Sequence, residues 1–287
     1  MILDDTINLL RERYGGRLDQ ITLERVVVGV FFTGVKLSNG QAGISYTPVE
    51  DLQETHTCCP SMMHRSKPWF QGQTVAQFLA EQDPDALPRT VTTALVNALS
   101  RELIMGGGYR LVRNLDAMDL FNIESMGEIS MVGAFIPYLK KFKAIDGIRF
   151  HVVEKKVERL KEDELKFFVP AEHAAEVLPG SDTVILTGAT LANDTIDGLM
   201  GMIRDDALVI VIGPTASLIP DLFFQKRVAL VSGSLVADPD RCVDAVAQGH
   251  DAHALFDGGF LEKINILNPS VSTGQPPYGD LAMTAAG

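Results

Sequence analysis

Ile129-Ser130-Met131-Val132-Gly133-Ala134-Phe135-Ile136-Pro137 runs an apolar strand, a glycine turn and a proline-started helix together without a linker. Apolar runs of the same kind recur at residues 149–153, 183–186, 207–212 and 228–231. Each is greasy throughout rather than alternating, as parallel strands covered on both faces are. Helical segments at 137–144, 171–177, 194–202 and 220–225 fit between them. Strand–helix alternation of this kind predicts an α/β fold with a doubly wound parallel sheet.

Upstream the grammar differs. Leu3, Ile7, Leu10 and Tyr14 step along one helix face, behind Asp4 and Asp5 at its start, and Gly15-Gly16 ends it. A β-branched and aromatic run at 26–37 reads as one strand. Asn39-Gly40 then signals a hairpin with both turn residues at positive φ, and 41–47 is the return strand. Residues 89–103 read as a helix with Val91, Ala94, Leu95, Ala98 and Leu99 on one face. Gly106-Gly107-Gly108 reads as a hinge. The first part is therefore an α+β unit, and the Ser/Thr/Pro/Gly-rich stretch 268–287 reads as a tail.

With 287 residues the chain has room for two cores. Asp and Glu number 37 against 25 Lys and Arg, a formal charge of -12. Such a surface repels phosphate backbones and anionic lipid, so neither nucleic acid nor membrane is the expected partner. Three cysteines, two of them adjacent, make no disulfide framework, and the start Met1-Ile2-Leu3-Asp4-Asp5 lacks a signal-peptide pattern. A cytoplasmic protein is expected, with a homo-oligomer left open.

Ligands of open α/β sheets bind outside the carboxyl ends of the strands. Four of the five strand ends carry glycine beside small or hydroxyl residues: Gly133-Ala134, Thr187-Gly188-Ala189-Thr190, Gly213-Pro214-Thr215 and Gly233-Ser234. Glycine admits a close ligand and Thr supplies donors, although such turns also serve simply to start helices. Glu154, at the end of the second strand, stands where a nucleotide-binding sheet places its ribose acceptor, or is a solvated strand end. A dinucleotide fingerprint is absent, since Phe135 and Pro137 stand where two of its glycines belong. A nucleoside without phosphates, such as S-adenosylmethionine, is less excluded than a dinucleotide.

A separate cluster, His56-Thr57-Cys58-Cys59-Pro60-Ser61-Met62-Met63-His64, offers thiolate, imidazole and thioether to a soft metal. Its spacing is not C-x-x-C, and Cys and Met also fill cores. Cys58, Cys59 and His64 are the candidate metal ligands. His250 and His253 read as an exposed helix face. No nucleophilic triad or H-E-x-x-H pattern occurs, so the acid–base candidates are Glu154 and the histidines, on residue type alone.

Taken in order, these motifs resemble a bacterial and archaeal family known as "putative heavy-metal chelation" proteins. The matching elements include Asn39-Gly40, the helix from Thr93 to Leu99, Met131-Val132-Gly133 through Pro137, Val152-Val153-Glu154, Thr187 through Asn193, and Ile212-Gly213-Pro214-Thr215. The resemblance implies an enolase N-terminal-like α+β domain at 1–115 and a Rossmann-like domain at 116–267. It also implies work on heavy metals or on pterin-, flavin- or siderophore-like chelators, in a cleft lined by both halves. On that reading Gly133, Glu154, Thr187, Gly188, Thr190, Asn193, Gly213, Pro214 and Thr215 face the cleft, with Asn97 or Thr47 from the N-terminal half. The implied ligand is a small molecule or metal chelate; the implied cofactor is a heavy-metal ion or an S-adenosylmethionine-like nucleoside.

Overall fold

The computed structural model describes residues 1–49, 70, 72–80 and 86–271, and the soft-ligand candidates Cys58, Cys59 and His64 lie outside them. Helix α1 (Ile2–Tyr14) buries Ile2, Leu3, Ile7, Leu10 and Tyr14, the face its spacing predicts. Asp4 and Asp5 in its first turn and Arg11 and Arg13 in its last oppose the helix dipole's charge at each end. Gly15, at φ 51°, lets the chain turn away.

Next comes an antiparallel meander of β1 (Leu23–Val28), β2 (Phe32–Leu37) and β3 (Ala42–Tyr46). The single strand expected over 26–37 is broken at Gly29-Val30-Phe31, where Gly29 N–H donates to Phe32 O at 2.9 Å. A Cβ on Gly29 would come within 2.5 Å of the Val246 carbonyl, so the chain reverses there against a neighbouring backbone. At the second turn only Gly40 is left-handed, with φ 79°. Gly40 N–H donates to Leu37 O, and Leu37 N–H to Gln41 O, giving a three-residue loop rather than the expected two-residue one. Asn39 contributes its side chain instead, accepting from Gln41 N–H at 3.1 Å.

Helix α3 (Ala86–Met105) covers the meander, while α2 (Val75–Ala80) packs beside the turn that follows α1. The predicted face of α3, Val91, Ala94, Leu95, Ala98 and Leu99, is wholly buried. Gly107 and Gly108, both at positive φ, then deliver β4 (Arg110–Arg113) to the edge of a second, larger sheet.

That sheet collects β5 (Ile129–Val132), then, after α4 (Ile136–Lys143), β6 (Phe150–Glu154) and β7 (Phe168–Pro170). Short α5 (Ala174–Val177) leads to β8 (Thr183–Thr187). Helices α6 (Ala189–Ala192) and α7 (Ile196–Met200) lead to β9 (Leu208–Ile212). Then come α8 (Asp221–Gln225), β10 (Val228–Val236), α9 (Pro239–Ala247), α10 (Ala252–Asp257) and β11 (Leu261–Leu267). The strand order is β4-β11-β10-β9-β8-β5-β6-β7. From β7 to β10 neighbouring strands are parallel; β11 and β4 join antiparallel. The chain enters the parallel part of the sheet at β5, winds outward to β7 and returns on the other side at β8. The order therefore reverses between β5 and β8, where the helices flanking the two strands diverge.

Gly233-Ser234 does not form the turn expected after the fifth strand. Strand β10 continues to Val236 because β11 pairs with it from Leu230↔Leu267 to Val236↔Leu261. Strands alternate between two cores. Val184, Leu186, Val209 and Val211 face the N-terminal unit and share one continuous cluster with Leu3, Leu10, Val35, Leu95 and Leu99. Ile129, Met131, Ile185, Ile210 and Ile212 face the other way, against Leu139, Phe142 and Phe150. Burial on both faces is why these strands read as unbroken apolar runs.

Candidate functional site

The turns after β5, β8 and β9 meet at the reversal point. Gly133 leaves β5 at φ 90°, and a Cβ there would lie 3.0 Å from Thr187 Cγ2. Gly188 N–H donates to Ile212 O at 2.7 Å, tying the end of β8 to that of β9. Gly213 leaves β9 at φ 111°, and its missing side chain would meet Phe135 Cζ at 3.6 Å. The Phe135 ring therefore reaches from the β5 turn to the β9 turn. Gly133, Phe135, Thr187, Gly213 and Pro214 remain partly exposed there, at the switch point where open α/β sheets have their ligand crevice.

Each hydroxyl and carboxylate near this crevice has a traceable use. Thr187 Oγ1 accepts from Ala189 N–H at 3.3 Å, which leaves its proton uncommitted among the described residues. Thr190, buried, donates to Thr187 O at 2.5 Å and holds the β8–α6 turn closed. Asn193 Oδ1 accepts from Thr195 Oγ1 at 2.8 Å at the end of α6. Pro214 O accepts from Ser217 Oγ at 2.6 Å.

Glu154 sits at the end of β6 and is only 6 % exposed. Oε2 accepts from Ala134 N–H at 3.1 Å and from Arg159 at 3.4 Å; Oε1 accepts from Lys155 and Lys156 N–H at 2.8 and 3.3 Å. A carboxylate offers about four lone-pair sites, and this one uses them all, one on the Ala134 N–H of the β5 turn and three on its own following loop.

Asn97 and Thr215 join the two units. Asn97 Nδ2 donates to Ile44 O and to Thr215 O, at 2.8 and 2.9 Å, while Thr215 Oγ1 accepts from Tyr46 N–H at 2.8 Å. Thr47 stays within the meander, bonded through its hydroxyl to Thr33 Oγ1 at 2.9 Å. The sequence thus pointed to two groups that the structure separates: crevice residues, and joint residues behind the β9 turn. It gave no sign of the Arg89 contact, in which Nε donates to Leu191 O at 3.0 Å and the guanidinium also pairs with Asp194. Asp194 takes φ 61° to do so, and a polar residue at positive φ after a short helix leaves no fixed sequence mark.

Among the described residues no three His, Cys, Asp or Glu come together as a metal site. His250 Nδ1 is bonded to the Ala245 carbonyl at 2.9 Å and packs edge-on against Phe260. No described helix is long and apolar enough to cross a membrane.

Two family models match, both described as "Putative heavy-metal chelation": DUF364 over residues 116–264 and DUF4213 over residues 11–100. A curated relative, an uncharacterized protein of Methanocaldococcus jannaschii, is 27 % identical over 161 residues, which are 55 % of this chain and 59 % of that protein. The chain thus spans about three fifths of the length of that relative. Among solved structures, a DUF364 protein of unknown function from Pyrococcus horikoshii superposes with a TM-score of 0.72 at 18 % identity, covering 93 % of this chain and all of that one. A second, from Desulfitobacterium hafniense, gives 0.65 at 18 %, covering 90 % and 98 %. These two likenesses are of fold; the family model spanning half of the sequence places the chain by its residues, and the protein belongs to the DUF364 family, described as "Putative heavy-metal chelation".

Proposed function

We propose that the crevice between the β5, β8 and β9 turns binds a small organic chelator, of pterin, flavin or siderophore type, or its metal complex. The observation that carries this reading is the Phe135 ring set between the Gly133 and Gly213 turns, beside the uncommitted Thr187 hydroxyl. An aromatic face beside close backbone suits a planar ring system, and a hydroxyl donor suits its carbonyl or phenolate oxygen. The family description adds the metal.

Methyl transfer from S-adenosylmethionine is the weaker reading. It relies on Glu154 to accept from the ribose, and all of that carboxylate's sites are taken by Ala134, Lys155, Lys156 and Arg159. Direct soft-metal binding by Cys58, Cys59 and His64 is a separate reading, tested by replacing all three and titrating Cu(I) or Zn(II).

The test of the crevice is a titration of the full chain with riboflavin, a pterin and an iron(III) catecholate, followed by fluorescence or absorbance. Thr187→Val removes one hydrogen-bond donor and is expected to weaken the bound probe about fivefold, roughly 1 kcal/mol. Phe135→Ala removes the ring and is expected to cost about as much. Probe binding unaltered in both variants would refute the assignment.

A further inference from the structure

The loop between β2 and β3 carries a chemistry that the crevice does not use. Asn39 and Gly40 stand at its tip, both exposed, and form the chain's one Asn-Gly pair. The other asparagines precede Leu, Ala, Ile, Asp or Pro. Asn97, Asn265 and Asn268 are buried as well.

A backbone nitrogen can attack the side-chain carbonyl carbon of the asparagine before it, and glycine offers that nitrogen with no side chain in the way. Around Gly40 the space is open, with nothing within 4 Å of where a Cβ would stand. The loop also prepares the group to be attacked. Asn39 Oδ1 accepts from Gln41 N–H at 3.1 Å. Negative charge develops on that oxygen as the carbonyl is attacked, so the Gln41 donor faces it as an oxyanion-hole donor does. The same bond fixes which way the amide points. Its nitrogen, Nδ2, is the leaving group, and no described residue accepts from it. One contact opposes the reaction. Gly40 N–H donates to Leu37 O at 2.9 Å and must leave that carbonyl first. The bond closes an exposed three-residue loop, and local openings of such loops need far less free energy than unfolding.

We propose that Asn39 is a site of spontaneous deamidation in the folded protein. Gly40 N gives its proton to hydroxide and bonds to Asn39 Cγ. The tetrahedral centre expels Nδ2, which takes a proton from water and departs as ammonia, leaving a five-membered succinimide. Water then opens the ring at either carbonyl. Opening at the former backbone carbonyl gives isoaspartate, with the main chain running through Cβ and Cγ; opening at Cγ gives aspartate. The net change is amide and water to acid and ammonia, with no oxidation or reduction. Either product adds a negative charge to the loop. Isoaspartate also lengthens the loop's main chain by one carbon. It therefore pulls on Gln41, whose side chain donates to Glu102 Oε2 of α3 at 3.2 Å.

The test is peptide mapping by mass spectrometry of the full chain, held folded at neutral and at mildly alkaline pH for increasing times. The Asn39 peptide is expected to gain the mass of the amide-to-acid exchange before any other asparagine peptide, as two separable products, and faster at the higher pH. That gain distinguishes the reaction from isomerisation at an Asp-Gly pair, which leaves mass unchanged. A guanidinium-denatured sample sets the time scale, and the folded chain is expected to convert at no less than about a tenth of its rate. Gly40→Asp places a Cβ in open space on a residue type that tolerates positive φ, so circular dichroism should show the fold kept. Conversion at Asn39 is then expected to slow about tenfold or more. A folded-state rate below that tenth, another asparagine converting first, or an undiminished rate in Gly40→Asp would each overturn the proposal.

Discussion

At the end of β6 the Glu154 carboxylate accepts from Ala134 N–H of the Gly133 turn and from Lys155 N–H, Lys156 N–H and Arg159 of its own loop. The same residue type at the same place would bind ribose in a nucleotide sheet, so position alone does not determine the role of a side chain; its partners do. Cys242 is a second case of environment deciding chemistry. It lies on the inner face of α9, fully buried, and burial pushes its thiol up to about 12. The reactive species is the thiolate, so near pH 8 this group should stay protonated as well as inaccessible. Peptide mapping after iodoacetamide treatment of the native protein is expected to find Cys242 unmodified, and fully modified only after denaturation.

Between elements, β3 lies close against α3 at Gly43. A Cβ on Gly43 would stand 2.3 Å from Ala94 O and 2.4 Å from Ala98 N, both backbone atoms that cannot rotate aside. Gly43→Ala must push strand and helix apart, and the Asn97 clasp to Ile44 opens with them. A loss of about 3 kcal/mol is expected in urea unfolding, with a lower midpoint and unchanged slope. The elements that were legible in the sequence are those whose local pattern matches their burial. The strands β5, β8 and β9 are apolar on both faces and stand between glycine turns, so their reading lands within a residue of the structure. Breaks imposed by distant contacts left no such mark. The reversal at Gly29 answers to the Val246 carbonyl, and the full length of β10 depends on β11, more than twenty residues further on. The glycines at the candidate crevice were legible as turns because each directly follows an apolar strand. The joint roles of Asn97 and Thr215 were not, because hydrogen bonds across more than a hundred residues have no local signature.

Over the whole molecule, the two sequence units share the larger of the cores. Leu3, Leu10, Leu95 and Leu99 lie in the same cluster as Val184, Leu186, Val209 and Val211. Neither unit can unfold without exposing the apolar face of the other. A single thermal transition is therefore expected, with equal calorimetric and van't Hoff enthalpies; two resolved transitions would contradict a shared core. The β9 turn is braced from behind by Tyr46 and Asn97, which bond to Thr215. Native mass spectrometry of the full chain, incubated with riboflavin, a pterin, an iron(III) catecholate and the bare metal ions, tests the assignment of the crevice most directly. The account predicts one organic or metal-chelate adduct per chain in the wild type and its loss in Phe135→Ala. Adducts of bare metal alone, or equal organic adducts in both proteins, would contradict it.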